Sequence, residues 1–409
     1  GVLGVRLEEL RGAELLRALR RVDSAQGAEV ALGGRTVLNF SSNDYLGLAG
    51  DPAIREAAAR GALAEGAGSG ASRLISGSLA AHHELEEALA AFKGTEAALC
   101  FSTGHAAALG TIPALVGRGD VVILDKLAHA CLVDGARLSG AQLRVFRHND
   151  LEDLESKLRW ADGLAGGGKP RPRALVVTES IFSMDGDQAP LAGLVELKER
   201  FGGWLMVDEA HATGLFGERG AGLIHHLGLA SRVEVQMGTL GKALGTAGGF
   251  VAGSRTLVDY LVNRARSFVF STAPPPGLAR AALAAVAKAQ SAEGRGLREA
   301  LWRRVGQLRE GLAGMGRAPW EGSGRSAILP LAIGGEGAAL AAAAGLLERG
   351  LLAPAIRYPT VARGAARIRL TVTAAHREEQ VGRLLGAIGE VLAGDSACAA
   401  GGDGLQSGL

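Results

Sequence analysis

Between residues 96 and 252 the sequence carries seven short apolar runs: "EAALCF" (96–101), "VVIL" (121–124), "LRVF" (143–146), "ALVVT" (174–178), "WLMVD" (204–208), "VEVQM" (233–237) and "GFVAG" (249–253). A strand with one wet face alternates apolar and polar residues, whereas most of these runs do not. Such strands must be covered on both sides, which helical crossovers between parallel neighbours achieve. The region therefore reads as one large α/β domain around a mostly parallel seven-stranded sheet.

After "APPPG" (273–277) the texture changes. An Ala/Arg-rich helical stretch (278–313) leads to "ILPLAI" (328–333), a second helix (337–349) and "ARIRLTV" (366–372), the pattern of a smaller C-terminal α+β domain. Leucines at helical spacing predict an amphipathic helix over 7–21. Residues 394–409 lack periodicity and read as a disordered tail. The expected division is an N-terminal helix and arm (1–45), a large domain (46–285), a small domain (286–393) and that tail.

Composition narrows the function classes. Glycine is abundant, 62 of 409 residues, but has no repeat, which excludes collagen-like and solenoid folds. A net charge of +2 is too small for a nucleic-acid footprint, and the basic "RALRR" (17–21) reads equally well as a solvated helix face. Three cysteines (Cys100, Cys131, Cys398) build neither a disulfide framework nor a Cys-rich zinc site, and no metal is expected. No run reaches the ~18 apolar residues of a membrane span. With no basic-then-apolar leader pattern, a cytoplasmic enzyme is the expectation.

The chemistry starts at "GTLGKALGTAGG" (238–249), where a single cation, Lys242, interrupts glycines and small apolar residues. A nucleotide P-loop would need Gly at 236 and Ser/Thr at 243, and the chain has Gln236 and Ala243. A surface lysine on a tight turn and a Schiff-base lysine remain. The second wants a desolvated pocket and glycines that let a flat cofactor approach the backbone. "WLMVDEAHATG" (204–214) runs a buried strand into Asp208, with His211 three residues on. A carboxylate at that end of a parallel strand serves as a helix cap or meets a cationic ligand at the sheet's binding edge. A protonated pyridine nitrogen is such a ligand, and His211 is then near enough for the phenolic oxygen of the same ring. "FSTGHAAALG" (101–110) sets Ser102, Thr103 and Gly104 between a strand and a helix, suited to a phosphate or to ordinary capping. "GAGSGASRLISG" (66–77) is a further flexible segment, and His129 follows a buried strand where an imidazole could lie over a ring.

These residues, with "SSNDYLGL" (41–48), "VVTESIFSMDGDQAPL" (176–191) and "ARIRLTVTAAH" (366–376), resemble the α-oxoamine synthases over about residues 14–390. Members of that family are fold-type I enzymes that use pyridoxal 5'-phosphate (PLP) to condense an amino acid with an acyl thioester. "LRVFRHND" (143–150) and "AIRYPTVARGAARIRLTVTAAH" (355–376) point to the branch that joins L-alanine to a pimeloyl thioester. The resemblance implies a homodimer with its active site at the subunit interface. Lys242 would bond the cofactor covalently, Asp208 would pair with the ring nitrogen, His211 with the ring oxygen, and His129 would stack on the ring. Ser183 and Thr239 would hydrogen-bond the cofactor, Gly104 and His105 would meet its phosphate, and Thr272 would reach the phosphate of the partner subunit. Asn43 and Arg369 would hold the amino acid carboxylate. Arg20, with Arg21 as the neighbouring register, and Thr360 would line the acyl-donor side.

The chain departs from the family at His105, usually aromatic, and at Ala108, usually Asn. Glycine C-acetyltransferase, a plain aminotransferase and a non-catalytic subunit of the same fold are the competing readings. The last would be expected to lack the lysine.

Overall fold

The structure, a computed structural model, describes residues 1–13, 15–164, 171–318 and 324–400. The chain folds as two compact units. One comprises Gly1–Tyr45, Met184–Gly186 and Glu299–Leu409; the other comprises Leu46–Ser183 and Asp187–Arg298.

In chain order the strands are β1 (Glu29–Leu32), β2 (Arg35–Asn39), β3 (Ala97–Phe101), β4 (Val121–Asp125), β5 (Gln142–Phe146), β6 (Ala174–Glu179), β7 (Trp204–Asp208), β8 (Val235–Thr239), β9 (Gly249–Gly253), β10 (Ile328–Gly334), β11 (Leu351–Leu352), β12 (Ala355–Ile356) and β13 (Ala366–Thr371). The larger unit holds the seven-stranded sheet, ordered β3-β9-β8-β7-β6-β4-β5. β8, β7, β6, β4 and β5 are mutually parallel, and β9 alone runs antiparallel to its neighbours β3 and β8. Val121, Val122, Ile123, Val176, Val177, Leu205 and Met206 are all fully buried, as two-sided coverage requires. Each such side chain contributes about 1.5–3 kcal/mol of burial.

β8 and β9 form a hairpin, and the loop between them carries Lys242. Leu240 N–H donates to Gly248 O and Thr246 N–H to Leu240 O, both 2.9 Å, so the loop closes on itself. Gly245 has φ +64°, and a Cβ there would collide with the backbone of Leu48 and Ala49. The loop's length and shape are thus set by the protein's own packing.

The smaller unit contains two three-stranded sheets, β1-β2-β11 and β10-β13-β12. β10 and β13 pair antiparallel, with Pro330 opposite Arg369. The 278–313 stretch is two helices, Pro276–Gln290 and Ala292–Gly314.

Two expectations need correction. The N-terminal helix is Val2–Gly12, not 7–21, and none of its residues is buried. Leu19 is fully exposed. Leucine spacing marks a core-facing helix only where a core takes up its apolar face, which none does here, and Gly12, costing ~1 kcal/mol in helix propensity, is the last helical residue. At the other end, the helix Glu378–Ala400 runs through the first residues of the expected tail, while 401–409 lie outside the described residues. No helix among the described residues is long and apolar enough to cross a membrane.

Candidate active site

The last bond from this strand end to the sheet is Glu209 N–H to Met237 O of β8, and the chain leaves it where Ala210 N–H donates to the Asp208 carboxylate at 2.8 Å. The following turn brings back His211, whose Nε2 lies 2.9 Å from Lys242 Nζ. Asp208 and His211 are both buried, and Lys242 is half-buried. Burial raises the Asp208 pKa, and the nearby Lys242 ammonium pulls it down. Three titratable groups from two adjacent strand ends thus meet in one place in the larger unit.

A fourth and a fifth join them. Glu179 ends β6 directly opposite Asp208 in the parallel register. Burial first, and then the Asp208 charge, push the Glu179 pKa well above its ordinary value. His129 caps the helix Ala130–Ser139: its Nδ1 accepts from Cys131 N–H at 3.2 Å. An accepting Nδ1 leaves Nε2 to carry the ring proton, and burial lowers the His129 pKa despite Asp208. Sequence reasoning missed Glu179, although it carries the signal that exposed Asp208: an acid closing a buried strand.

The phosphate-side residues lie where β3 meets the helix Gly104–Leu115. Thr103 is the N-cap, its hydroxyl accepting from Ala106 N–H at 3.0 Å. The N–H groups of Gly104 and His105 occupy the first turn and have no partner within the helix. A Cβ on Gly104 would come within 2.5 Å of Thr239 Cγ2, and one on Gly249 within 2.5 Å of Gly104 N. Thr239 Oγ1 is buried without a hydrogen-bond partner. A helix start crowded by glycines, an orphaned hydroxyl, a buried carboxylate and a lysine suit a flat, phosphorylated, cationic ring. The residues present fit PLP. Ser102 and His105 are exposed; Ala108 is fully buried in the core beside Gly135, so its loss of the usual Asn belongs to helix packing. Ser183, nearly buried, follows β6 on the turn after Phe182. Thr272 is exposed and forms an isolated bridge with Ser72.

In the smaller unit Arg369 sits buried on β13 and donates from Nη2 to Asn43 Oδ1 at 3.1 Å. Tyr45, fully buried, donates its hydroxyl to the same oxygen at 3.2 Å. Burial raises the Tyr45 pKa against the lowering charge of Arg369. The sequence points to Arg369 and Asn43 but not to Tyr45, although "NDY" holds both. Arg20 and Thr360 are exposed, and the side chain that meets the Thr360 hydroxyl is Arg17, at 3.3 Å. The described residues hold no cluster of His, Cys, Asp and Glu able to bind a metal.

The family model for aminotransferase class I and II matches residues 35–388. An 8-amino-7-oxononanoate synthase of Anaeromyxobacter sp. (strain Fw109-5) is 53% identical over 387 residues, 94% of each chain. Among solved structures, serine palmitoyltransferase of Sphingomonas wittichii superposes with a TM-score of 0.88 at 32% identity, covering 97% of both chains. An 8-amino-7-oxononanoate synthase of Francisella tularensis superposes with a TM-score of 0.73 at 25% identity, covering 88% of this chain and 99% of its own.

Proposed function

The chain belongs to the aminotransferase class I and II family, and we propose that it is a PLP-dependent acyltransferase of the α-oxoamine synthase group. Its reaction is the 8-amino-7-oxononanoate synthase reaction of biotin biosynthesis: L-alanine and a pimeloyl thioester give the amino ketone, carbon dioxide and the free thiol. One C–C bond forms at the alanine Cα while its carboxylate leaves and the C–S bond breaks. The observation that carries this reading is the meeting of Lys242, His211 and Asp208 at the ends of β7 and β8, with Lys242 Nζ 2.9 Å from the imidazole.

When bound, PLP supplies an electron sink for the negative charge that develops at the Cα. Asp208 would hold the positive charge of the ring nitrogen. Thr239, Ser183 and His211 orient the ring through hydrogen bonds, and the first turn of the helix at Gly104 and His105 receives the phosphate. Ser102 and Thr103 precede that turn. Lys242 Nζ takes the Cα proton from alanine and returns one to the product, help worth ~10²–10⁴-fold. His129, with its proton on Nε2, donates toward oxygen that becomes negative at the thioester carbonyl. Arg369 and Asn43 hold the amino acid carboxylate, and Arg20 with Thr360 meets the acyl donor. We further propose a cytoplasmic homodimer in which Thr272 serves the partner's phosphate.

Steady-state turnover of alanine, glycine and serine against pimeloyl and acetyl thioesters tests the reading. Alanine with the pimeloyl donor is expected to give the highest kcat/KM, and a preference for glycine with the acetyl donor would overturn it. Lys242→Ala is expected to fold, to lose turnover, and to lose the absorption near ~420 nm expected of this cofactor's attachment. An unchanged spectrum would refute the role of the lysine.

A further inference from the structure

The segment "RHND" after β5 is left without a role by the reaction above, yet it carries a histidine that meets a carboxylate at each ring nitrogen. His148 Nδ1 lies 2.9 Å from Asp125 Oδ1, and its Nε2 lies 2.7 Å from Asp187 Oδ2. Carboxylate oxygens accept and do not donate, so both ring nitrogens must carry protons and the ring is an imidazolium. The two acids belong to different turns. Asp125 closes β4 and also accepts from Leu127 N–H at 2.8 Å and Asn149 N–H at 3.0 Å, which shapes the turn leading to His129. Asp187 accepts from Asn149 Nδ2 at 2.8 Å, and its own carbonyl accepts from Phe182 N–H at 3.0 Å, which closes the turn that carries Ser183. The Phe182 ring meets the imidazolium edge-on, centroids 4.3 Å apart.

We propose that His148 is a positioning residue: as an imidazolium bonded at both nitrogens it ties the turn presenting His129 to the turn presenting Ser183. Both contacts around the cofactor then take their geometry from one cation. The inference rests on the proposed reaction for its consequence, but not for the state of the ring.

The charged groups around the ring are few. Asp125 faces it from the end of β4 and Asp187 from the turn after β6; Asn149 and Phe182 are neutral. On its own loop, Arg147 and Asp150 pair with each other at 2.8 Å. Burial lowers the imidazole pKa, and the hydrogen bonds it donates to Asp125 and Asp187 outweigh that, raising the value to about 10.

The first test is a pH titration of the ¹⁵N-histidine-labelled holoenzyme by NMR, with the His148 signals assigned by their loss in His148→Gln. Both ring nitrogens are expected to stay protonated from pH 6 to pH 9. Deprotonation of either near the ordinary value of about 6.5 would overturn the proposal. The second is the holoenzyme of His148→Gln, which removes the bridge but keeps one donor. Its kcat is expected to fall on the order of 10²-fold, with the alanine KM nearly unchanged and the visible circular dichroism of bound cofactor altered, because two contacts shift together. A variant with wild-type kcat and wild-type dichroism would refute the coupling. If the wild-type protein binds no PLP, the proposed reaction fails instead, and the titration still decides the state of His148.

Discussion

Lys93 and Glu209 form an ion pair whose side chains are both wholly shielded from solvent. Lys93 also donates to Ala221 O at 2.6 Å, and the other Glu209 oxygen accepts from Ile224 N–H at 2.9 Å. The pair therefore pins both ends of the 209–224 loop, whose first residues include His211. Lys93→Met keeps the length of the side chain and leaves the Glu209 carboxylate buried without its cation, a defect costing about 3–5 kcal/mol. At ~2–4 °C per kcal/mol for a unit of this size, its Tm should drop by roughly 6–20 °C. Adding Glu209→Gln should recover part of that loss. The neutral amide still accepts from Ile224 N–H and can donate to Ala221 O in place of the ammonium. Thermal unfolding of the apoprotein, read by near-ultraviolet circular dichroism, measures the three variants and their coupling, expected at ~1–3 kcal/mol. A Lys93→Met protein within a few degrees of wild type would refute the argument. So would a double variant that loses more than Lys93→Met alone.

Arg369→Lys exchanges a planar fork for a point charge. The KM for the amino acid is expected to rise ~10–100-fold with kcat much less affected, as for uniform binding lost from both ground and transition states; steady-state kinetics at saturating acyl donor reads the split. His376 gives a pH effect. Its ring stacks on Phe40 at 4.5 Å, its Nδ1 accepts from Thr373 N–H at 3.0 Å, and burial lowers its pKa to about 4. The folded value lies below the unfolded one of about 6.5, so the neutral ring's stabilisation is complete above pH 6.5. It is lost as the pH falls from 6.5 to about 4, a total of about 3 kcal/mol. His376→Asn, which keeps an acceptor for Thr373, should flatten the urea-unfolding profile across that window; an unchanged slope would rule this out.

The larger unit was legible in the sequence because its strands are buried on both faces: "VVIL" and "WLMVD" allow few other environments. Asp208 was legible for the same reason, since an acid at the end of such a strand demands a partner. The glycines around Lys242 were legible as special but not in their purpose. Gly238 packs against Phe250, Gly245 against Leu48 and Ala49, and Gly249 against Gly104, so at these three positions it is the close approach of the protein's own chain that requires glycine. The helix over 7–21 failed because periodicity reports a potential apolar face and not the presence of something to cover it. Glu179 closes a buried strand as Asp208 does and was legible by the same signal, but His148 and Lys93 were hidden for a different reason. Each matters through a partner more than twenty residues away, Asp125 with Asp187, and Glu209, and such pairings belong to topology and not to any local pattern.

The closed hairpin that carries Lys242 bears on how the cofactor is acquired. Its two stems are sheet strands and its loop is tied by its own backbone, so the lysine's main chain has little freedom left to lose. PLP loading then orders a side chain and no longer segment, and the conformational entropy that a disordered loop would forfeit at that moment was already surrendered during folding.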